Sequence, residues 1–358
     1  MRLILLLITD LEIGGTPTVV RELALRLRSD DLQVQVGCLK GFGPVATQLQ
    51  RAGVVVKSFG ASSVIDLPAV VSEVRTYVRA QQIDTVMSFL LHANAVAAMA
   101  SRGVTGVRWL QSIQTTQPSP RWHWWLQRIV QHAADKVVVP SESVATVARD
   151  WADVPAEKVV VIPNAVDLPA RGAGGVPEQA EHADHCIGFV GRLDPIKRVP
   201  DLVAAMAQLP TDYTLDIWGE GSHRPSIEAA IAKHRVAQRV TLHGAIASPS
   251  DALQQIDCLV LPSQAEGFGL VLIEAMAAGV PVVATRVPGI REVVRDEQTG
   301  LLTPPADPPA LAAAIERVLH DDALRARLIA NGRQEVAAKY TWDRVLPQYR
   351  NLLQRDRP

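Results

Sequence analysis

Cysteine is scarce: the 358-residue chain has three, Cys38, Cys186 and Cys258, far apart, with no CxxC pair and no Cys/His ligand spacing. That pattern argues against a disulfide framework and a zinc site. Each cysteine lies in an apolar run that reads as a strand, so three buried, reduced thiols are expected, as suits the cytosol. An excess of one charge is also missing. The 36 Lys and Arg face 37 Asp and Glu, for a net charge of −1, whereas a general nucleic-acid binder needs surplus cations to displace counterions from phosphates. No apolar run approaches the roughly 20 residues that span a bilayer. The opening MRLILLLITDLEIGG breaks at Thr9 and Asp10 and enters a Gly-Gly loop with no cleavage pattern, so it reads as a first buried strand and not an export signal. Nor is there an internal repeat beyond strand–helix alternation.

What the chain does have is 48% hydrophobic residues and only 20% charged ones, enough for well-buried cores and more chain than one core usually absorbs. Short apolar runs alternate with amphipathic segments, which predicts βαβ units and parallel sheets covered on both faces. Strands are expected near 3–9, 33–39, 54–58, 84–88, 107–110, 136–139 and 159–162, with helices between them. Residues 167–185 are rich in Gly, Pro, Ala and charge without periodicity and read as a connector. Alternation resumes with strands near 186–191, 214–218, 239–243, 257–261, 281–284 and 301–302, and YTWDRVLPQYRNLLQR closes the chain as an amphipathic helix. The expected architecture is α/β: two doubly wound parallel-sheet domains, 1–165 and 186–340, separated by a linker at 166–185, with ligands at the carboxyl ends of strands.

Three loops at such strand ends carry chemistry. In PSQAEGFGLVLIEAMAAGVPVVAT, residues 262–285, Gly267 and Gly269 allow a tight turn into a helix beginning near Leu270, whose free amides and dipole favour an anion. Gly279 stands where a glycine would end that helix. Glu274, one turn in, can accept hydrogen bonds from a ribose diol; the alternative is an ordinary solvent-facing residue of an amphipathic helix. In VGRLDPIKRVPDLVAAM, Arg192 and Lys197 fall in the strand-to-helix loop, a forked and a compact cation suited to phosphate, while Arg198 is read as merely solvated. In WGEG, Gly219 and Gly221 make a further turn which, with Gly244 of VTLHGAI, would read a nucleobase edge.

Other signals are weaker. The loop at Gly14 and Gly15 is not GxGxxG, and the strand LQVQVGCLK lacks the terminal acid that would hold a ribose, which counts against hydride chemistry. RWHWW places Trp122, Trp124 and Trp125 beside Arg121 and Arg128; core packing is the preferred reading, an interfacial or sugar-contacting helix the other. His92 in LLHANAV reads equally as an acceptor-side group or a capping, partly buried histidine.

Together, VVVIPNAVD, VGRLDPIKR, IWGEG, the EGFGL…EAMA…G.PVV segment with its E-x7-E spacing, GIREVV and TGLL resemble the retaining nucleotide-sugar glycosyltransferases of family 4, over nearly the whole chain. The resemblance implies a GT-B fold, two Rossmann-like domains facing a central cleft: an acceptor-side domain at 1–165 joined by the final helix at about 341–358, and a donor-binding domain at 186–340. It implies that Arg192 and Lys197 bind the donor diphosphate, that Glu274 holds the ribose, and that Glu266 with the amides of Gly267, Phe268, Gly269 and Leu270 holds the transferred sugar. Gly14 and Gly15 would approach the diphosphate from the other domain. Glu266, Arg192 and Lys197 are thus the expected catalytic groups, with no metal and no cofactor beyond the nucleotide-sugar co-substrate; no DxD motif is evident. His92, Asn94 and Gln111 are the acceptor-side candidates, although Gln111 follows a strand where many members carry a histidine.

The implied reaction transfers a sugar from a nucleotide diphosphate to a hydroxyl of a glycan or lipid-linked acceptor, in bacterial surface polysaccharide or glycolipid synthesis. The implied setting is the cytoplasm, with peripheral contact at the inner face of the membrane. A nucleotide-sugar epimerase of the same shape and a non-catalytic nucleotide-sugar-binding protein remain as alternatives.

Overall fold

The computed structural model describes residues 1–168, 185–246 and 248–354. Most of the expected connector at 166–185 therefore lies outside the described residues. The chain divides into two compact units: the first comprises Met1–Asn164 and the segment from Val345, the second Ala165–Arg344.

The strands of the first unit are β1 Arg2–Ile8, β2 Leu32–Cys38, β3 Val55–Ser58, β4 Thr85–Phe89, β5 Arg108–Ser112, β6 Lys136–Val139 and β7 Val159–Val161. Its helices are α1 Gly15–Arg26, α2 Pro44–Arg51, α3 Leu67–Ala80, α4 Leu91–Ala100, α5 Trp122–Val130 and α6 Glu142–Ala152. Among the described residues the strands form one parallel sheet in the order β3-β2-β1-β4-β5-β6-β7. Central strands are apolar on both faces because helices cover both: β1 is buried from Ile4 to Ile8 and β4 throughout.

The second unit contains β8 His185–Val190, β9 Tyr213–Trp218, β10 Val240–Gly244, β11 Cys258–Leu261, β12 Val282–Thr285 and β13 Leu301–Thr303. The helices are α7 Val199–Met206, α8 Arg224–His234, α9 Pro249–Leu253, α10 Leu270–Ala278, α11 Pro288–Val293, α12 Pro308–His320 and α13 Asp322–Lys339; α14 Trp342–Gln354 begins in this unit and continues in the first. The parallel sheet runs β10-β9-β8-β11-β12-β13. The two sheets are doubly wound and Rossmann-like, the fold class the alternation predicts, and element ends agree to within about two residues, the usual uncertainty of helix boundaries. Beyond Val345, α14 belongs to the first unit, where Arg2 and Arg108 donate to the carbonyls of Leu353 and Leu352.

All three cysteines are free and buried, as expected. Burial pushes the thiols of Cys38 and Cys186 up to about 11 and 12 and that of Cys258 higher still. No described helix is long and apolar enough to cross a membrane.

The tryptophan run departs from the core packing expected of it. Trp124 is buried and donates its indole N–H to the Gln117 carbonyl at 2.9 Å. Trp122 and Trp125 are 52% and 65% exposed. A nine-residue helix buries one stripe only, and Trp124, Gln127 and Val130 occupy it.

Candidate active site

In each sheet the strand order reverses once, between β1 and β4 and between β8 and β11. At such a switch point consecutive loops leave the carboxyl ends of adjacent strands in opposite directions, and a crevice opens between them. In the second unit the loops concerned are 191–198, after β8, and 262–269, after β11. They carry Arg192, Lys197 and Glu266.

Backbone hydrogen bonds join these loops. The Gln264 amide donates to the Ile196 carbonyl at 2.8 Å, and the Lys197 ammonium donates to Glu266 Oε2 at 2.5 Å. Both side chains are largely withdrawn from water, 18% and 15% exposed. Ser263, fully buried, donates its hydroxyl to the same Glu266 oxygen at 3.2 Å, and Thr285 at the end of β12 donates to the Ser263 carbonyl. Gly289 in the first turn of α11 completes the support: a Cβ there would overlap the Glu266 carbonyl. Ser263 and Gly289 were not singled out from sequence, where a serine after a strand and a glycine after a proline look like ordinary turn residues.

Arg192 points outward, 67% exposed, and pairs with Asp194 at 2.9 Å. Arg198 is not merely solvated: its guanidinium grips both oxygens of Asp201, at 2.5 and 3.0 Å, from a left-handed residue (φ 50°) that opens α7. The neighbouring cations thus differ in employment: Arg198 fixes the helix start, Lys197 is held over Glu266, and Arg192 keeps a free reach.

Gly269 opens α10 in the left-handed conformation, φ 81°, and has no side chain of its own to cap that end. At the other end Gly279, φ 83°, terminates the helix and Arg333 donates to the Ala278 carbonyl at 3.0 Å, so cationic charge meets the negative pole. The positive pole faces the loop holding Glu266 and Gly267. Phe268 turns away into the core against Tyr340, so its amide rather than its ring lies on the loop side. Leu270, Val271, Glu274 and Ala278 form the half-buried stripe of an otherwise enclosed helix, which is how a carboxylate sits between buried Ile273 and Ala275.

The WGEG turn is stitched to the first loop. Leu193 donates to the Glu220 carbonyl, and the His223 amide donates to the Leu193 carbonyl. A side chain at Gly219, φ 152°, would overlap the Gly191 carbonyl, and one at Gly221 the Leu193 carbonyl. Both glycines therefore have a structural reason, close loop packing, independent of any base. Gly244 accepts from the Gly219 amide at 2.7 Å, and the adjacent His243 ring stacks on Trp218.

In the first unit the switch point holds Gly14, Gly15 and His92. Gly14 precedes α1 and Gly15 opens it; an added Cβ would meet nothing within 4 Å at Gly15 and only Pro17 at 3.7 Å at Gly14. Protein packing does not require glycine at either position. Leu90, before α4, holds φ 71°, an unusual strain for a branched residue, and delivers His92 exposed at the helix start. Its ring lies edge-on to His123 at 6.4 Å; burial and His92 together pull His123 below the ordinary histidine range. His123, too, escaped the sequence reading.

Asn94 and Gln111 require a correction, because both are buried and committed. Ser88 donates to Asn94 Oδ1 at 2.8 Å, Asn94 donates to the Ser112 carbonyl and Gln127 Oε1, Gln127 donates to Gln111 Oε1, and Gln111 donates to the Val130 carbonyl. This network ties β4, α4, β5 and α5 together and leaves neither residue open to an acceptor. Alternation rules place Gln111 on a strand but not on a face.

Two parallel, doubly wound sheets with charged, glycine-bearing loops at a switch point define a class, the Rossmann-like two-domain proteins of GT-B architecture. The chain belongs to the family-4 type glycosyltransferases: the model described as "Glycosyltransferase Family 4" matches residues 13–169, and that described as "Glycosyl transferases group 1" matches 177–335. An uncharacterized glycosyltransferase of Methanocaldococcus jannaschii is 30% identical over 236 residues, 61% of this chain and 59% of the relative. A glycogen synthase of Mycobacterium tuberculosis is 37% identical over 162 residues, 44% and 39% of the two chains. The matched stretches thus span roughly half the length of these curated relatives. Among solved structures, HepE of Anabaena with UDP and glucose aligns over 99% of both chains with a TM-score of 0.86 and 23% identity. Sucrose-phosphate synthase of Thermosynechococcus elongatus aligns over 99% of this chain and 98% of its own, with a TM-score of 0.81 and 25% identity. Those likenesses establish the shared fold.

Proposed function

We propose that the protein is a retaining, metal-independent glycosyltransferase that moves a hexose-type sugar from a nucleotide diphosphate to a hydroxyl of a glycan or lipid-linked acceptor. The observation that carries this reading is the Lys197–Glu266 pair, an ammonium and a carboxylate held together at the loop that leads into the positive pole of α10. Cleaving the sugar–phosphate bond leaves charge on the diphosphate and oxocarbenium character on the sugar. Lys197, the α10 amides and the outward Arg192 would meet the first, and Glu266 would hold the sugar hydroxyls. Preorganised groups of this kind contribute about 10²–10³ in rate each. Glu274, on the half-buried stripe of α10, would take the ribose, and Gly14 and Gly15 would admit the diphosphate where a side chain would intrude. The sugar leaves and is attacked on the same face, so no covalent nucleophile is assigned. Relatives named D-inositol 3-phosphate glycosyltransferase, of Corynebacterium urealyticum among others, support glycosyl transfer, and the neighbour solved with UDP-glucose supports a nucleotide-sugar donor. The proposed setting is the cytoplasmic face of bacterial surface-glycan assembly.

The test is a thermal-shift screen of UDP-, GDP- and ADP-sugars, since a ligand of the folded state raises apparent stability. Transfer assays with the stabilising donor follow, with the anomeric configuration of the product read by NMR. Stabilisation and an anomer like the donor's are expected. An inverted product would overturn retention, donor conversion without acceptor would indicate an epimerase, and binding without turnover a sensor.

A further inference from the structure

A run of aromatic rings leads away from His92, exposed at the switch point of the first unit. His92 lies edge-on to His123, with ring centroids 6.4 Å apart, and His123 lies edge-on to Trp122 at 4.0 Å. From Trp122 the face continues along α5 to Trp125, and the two indoles are 52% and 65% exposed. Residues three apart on a helix are neighbours, with Cβ atoms roughly 5–6 Å apart, a step comparable to one pyranose ring. The core beneath is filled by Trp124, so packing of the chain itself does not call for either exposed ring.

The charges around this face are mixed. Arg121 and Arg128 are exposed on α5, and α6, packed against it around Trp124, brings exposed Glu142, Arg149, Asp150 and Asp153. Arg128 is already paired with Asp153. Such a set attracts neither an anionic nor a cationic partner, whereas an uncharged polyol finds both donors and acceptors for its hydroxyls. A neutral imidazole offers one of each, and burial, with His92 beside it, holds His123 toward that neutral form. A pyranose joins its hydroxyl edge to an apolar C–H face, and an indole, apolar in body and polar at one edge, matches both.

We propose that Trp122 and Trp125 are successive stacking subsites for an uncharged glycan chain, whose end reaches His92 by way of His123. The glycan binds there with or without a donor, and only its role as the acceptor rests on the transferase reading. The test is titration of the purified full chain with maltohexaose, cellohexaose and chitohexaose, and with glucose and N-acetylglucosamine, affinity being read by saturation-transfer NMR. One hexasaccharide should bind about tenfold or more tighter than its own monosaccharide, a gain of the size that ring stacking supplies. W122A and W125A should each remove most of that gain and W122F restore part of it. Because both residues are exposed, the variants should keep the parent's circular dichroism and nucleotide-sugar thermal shift. No preference for any chain over its monosaccharide would overturn the proposal. So would a preference that both alanine substitutions leave intact, flotation with phosphatidylglycerol vesicles that W122A abolishes, or a dimer in sedimentation velocity that W122A dissociates. Glycan binding without any donor-induced thermal shift would count against the transferase reading and leave the subsites standing.

Discussion

Lys197 Nζ lies 2.5 Å from Glu266 Oε2 although 69 residues of chain separate them. The pair exists because β8 and β11 are neighbours in the second sheet and their loops leave that sheet side by side. Two residues read from sequence as separate ligands of a donor form one charged unit in the structure. The unit is costly to break, since losing one member strands the other in a partly dehydrated site.

Lys197→Ala is therefore expected to lower transfer by about two to three orders of magnitude with the stabilising donor. Glu266→Ala should also be severe, and the double variant should lose far less than the product of the single losses. Steady-state rates of the four proteins decide this, and simple multiplicativity would show that the pair does not act as a unit.

Gly219→Ala and Gly15→Ala should separate structural glycine from ligand-facing glycine. At Gly219 the new methyl meets the Gly191 carbonyl at φ 152°, so a loss of about 2–4 kcal/mol is expected in urea unfolding. At Gly15 the methyl meets nothing within 4 Å. Stability there should stay within about 0.5 kcal/mol of the parent, while donor turnover falls.

Asn94→Ala should act on folding and not on acceptor choice. The substitution removes the donor to Gln127 Oε1 and the Ser112 carbonyl in a buried network, while Ser88 keeps the Leu110 carbonyl, for an expected loss of about 1–3 kcal/mol. Acceptor KM among the surviving folded molecules should be near the parent value. His92→Ala, at an exposed site, should show the reverse: little change in melting temperature and, if His92 lines the acceptor, a raised KM.

Glu335 supplies an acid-side stability term. Burial raises its pKa, but ion pairs with Lys339 at 2.7 Å and with Arg295 more than offset this, so the folded-state value is below that of an ordinary glutamate. A group with a depressed folded pKa stabilises fully above its unfolded value and loses that contribution as pH falls through the folded one. Chemical denaturation from pH 7 downward should show stability declining below the usual glutamate range, and Glu335→Gln should flatten that decline. Parallel curves for the two proteins would remove Glu335 as its source.

The strands and most helices were legible because their signals are local. Apolar runs of four to seven residues mark β1 and β11, Pro200 marks the first turn of α7, and Gly279 marks the end of α10. The three loops of the second unit were legible for the same reason, since glycine and cations at a strand end stand out without neighbours. Ser263, Gly289 and His123 carry no such mark. Their roles depend on what approaches them: the Glu266 carboxylate, the Glu266 carbonyl, and the ring of His92.

By itself, then, the order of residues determined which segments form strands and helices and where the chain must turn, because periodicity and φ preference are properties of a few adjacent residues. The tertiary structure alone decided that Asn94 and Gln111 face inward, that Trp122 and Trp125 face water, and that Lys197 meets Glu266. Each of these outcomes depends on which distant surface takes up a side chain's apolar area or hydrogen bonds, and strand order in the sheet sets that.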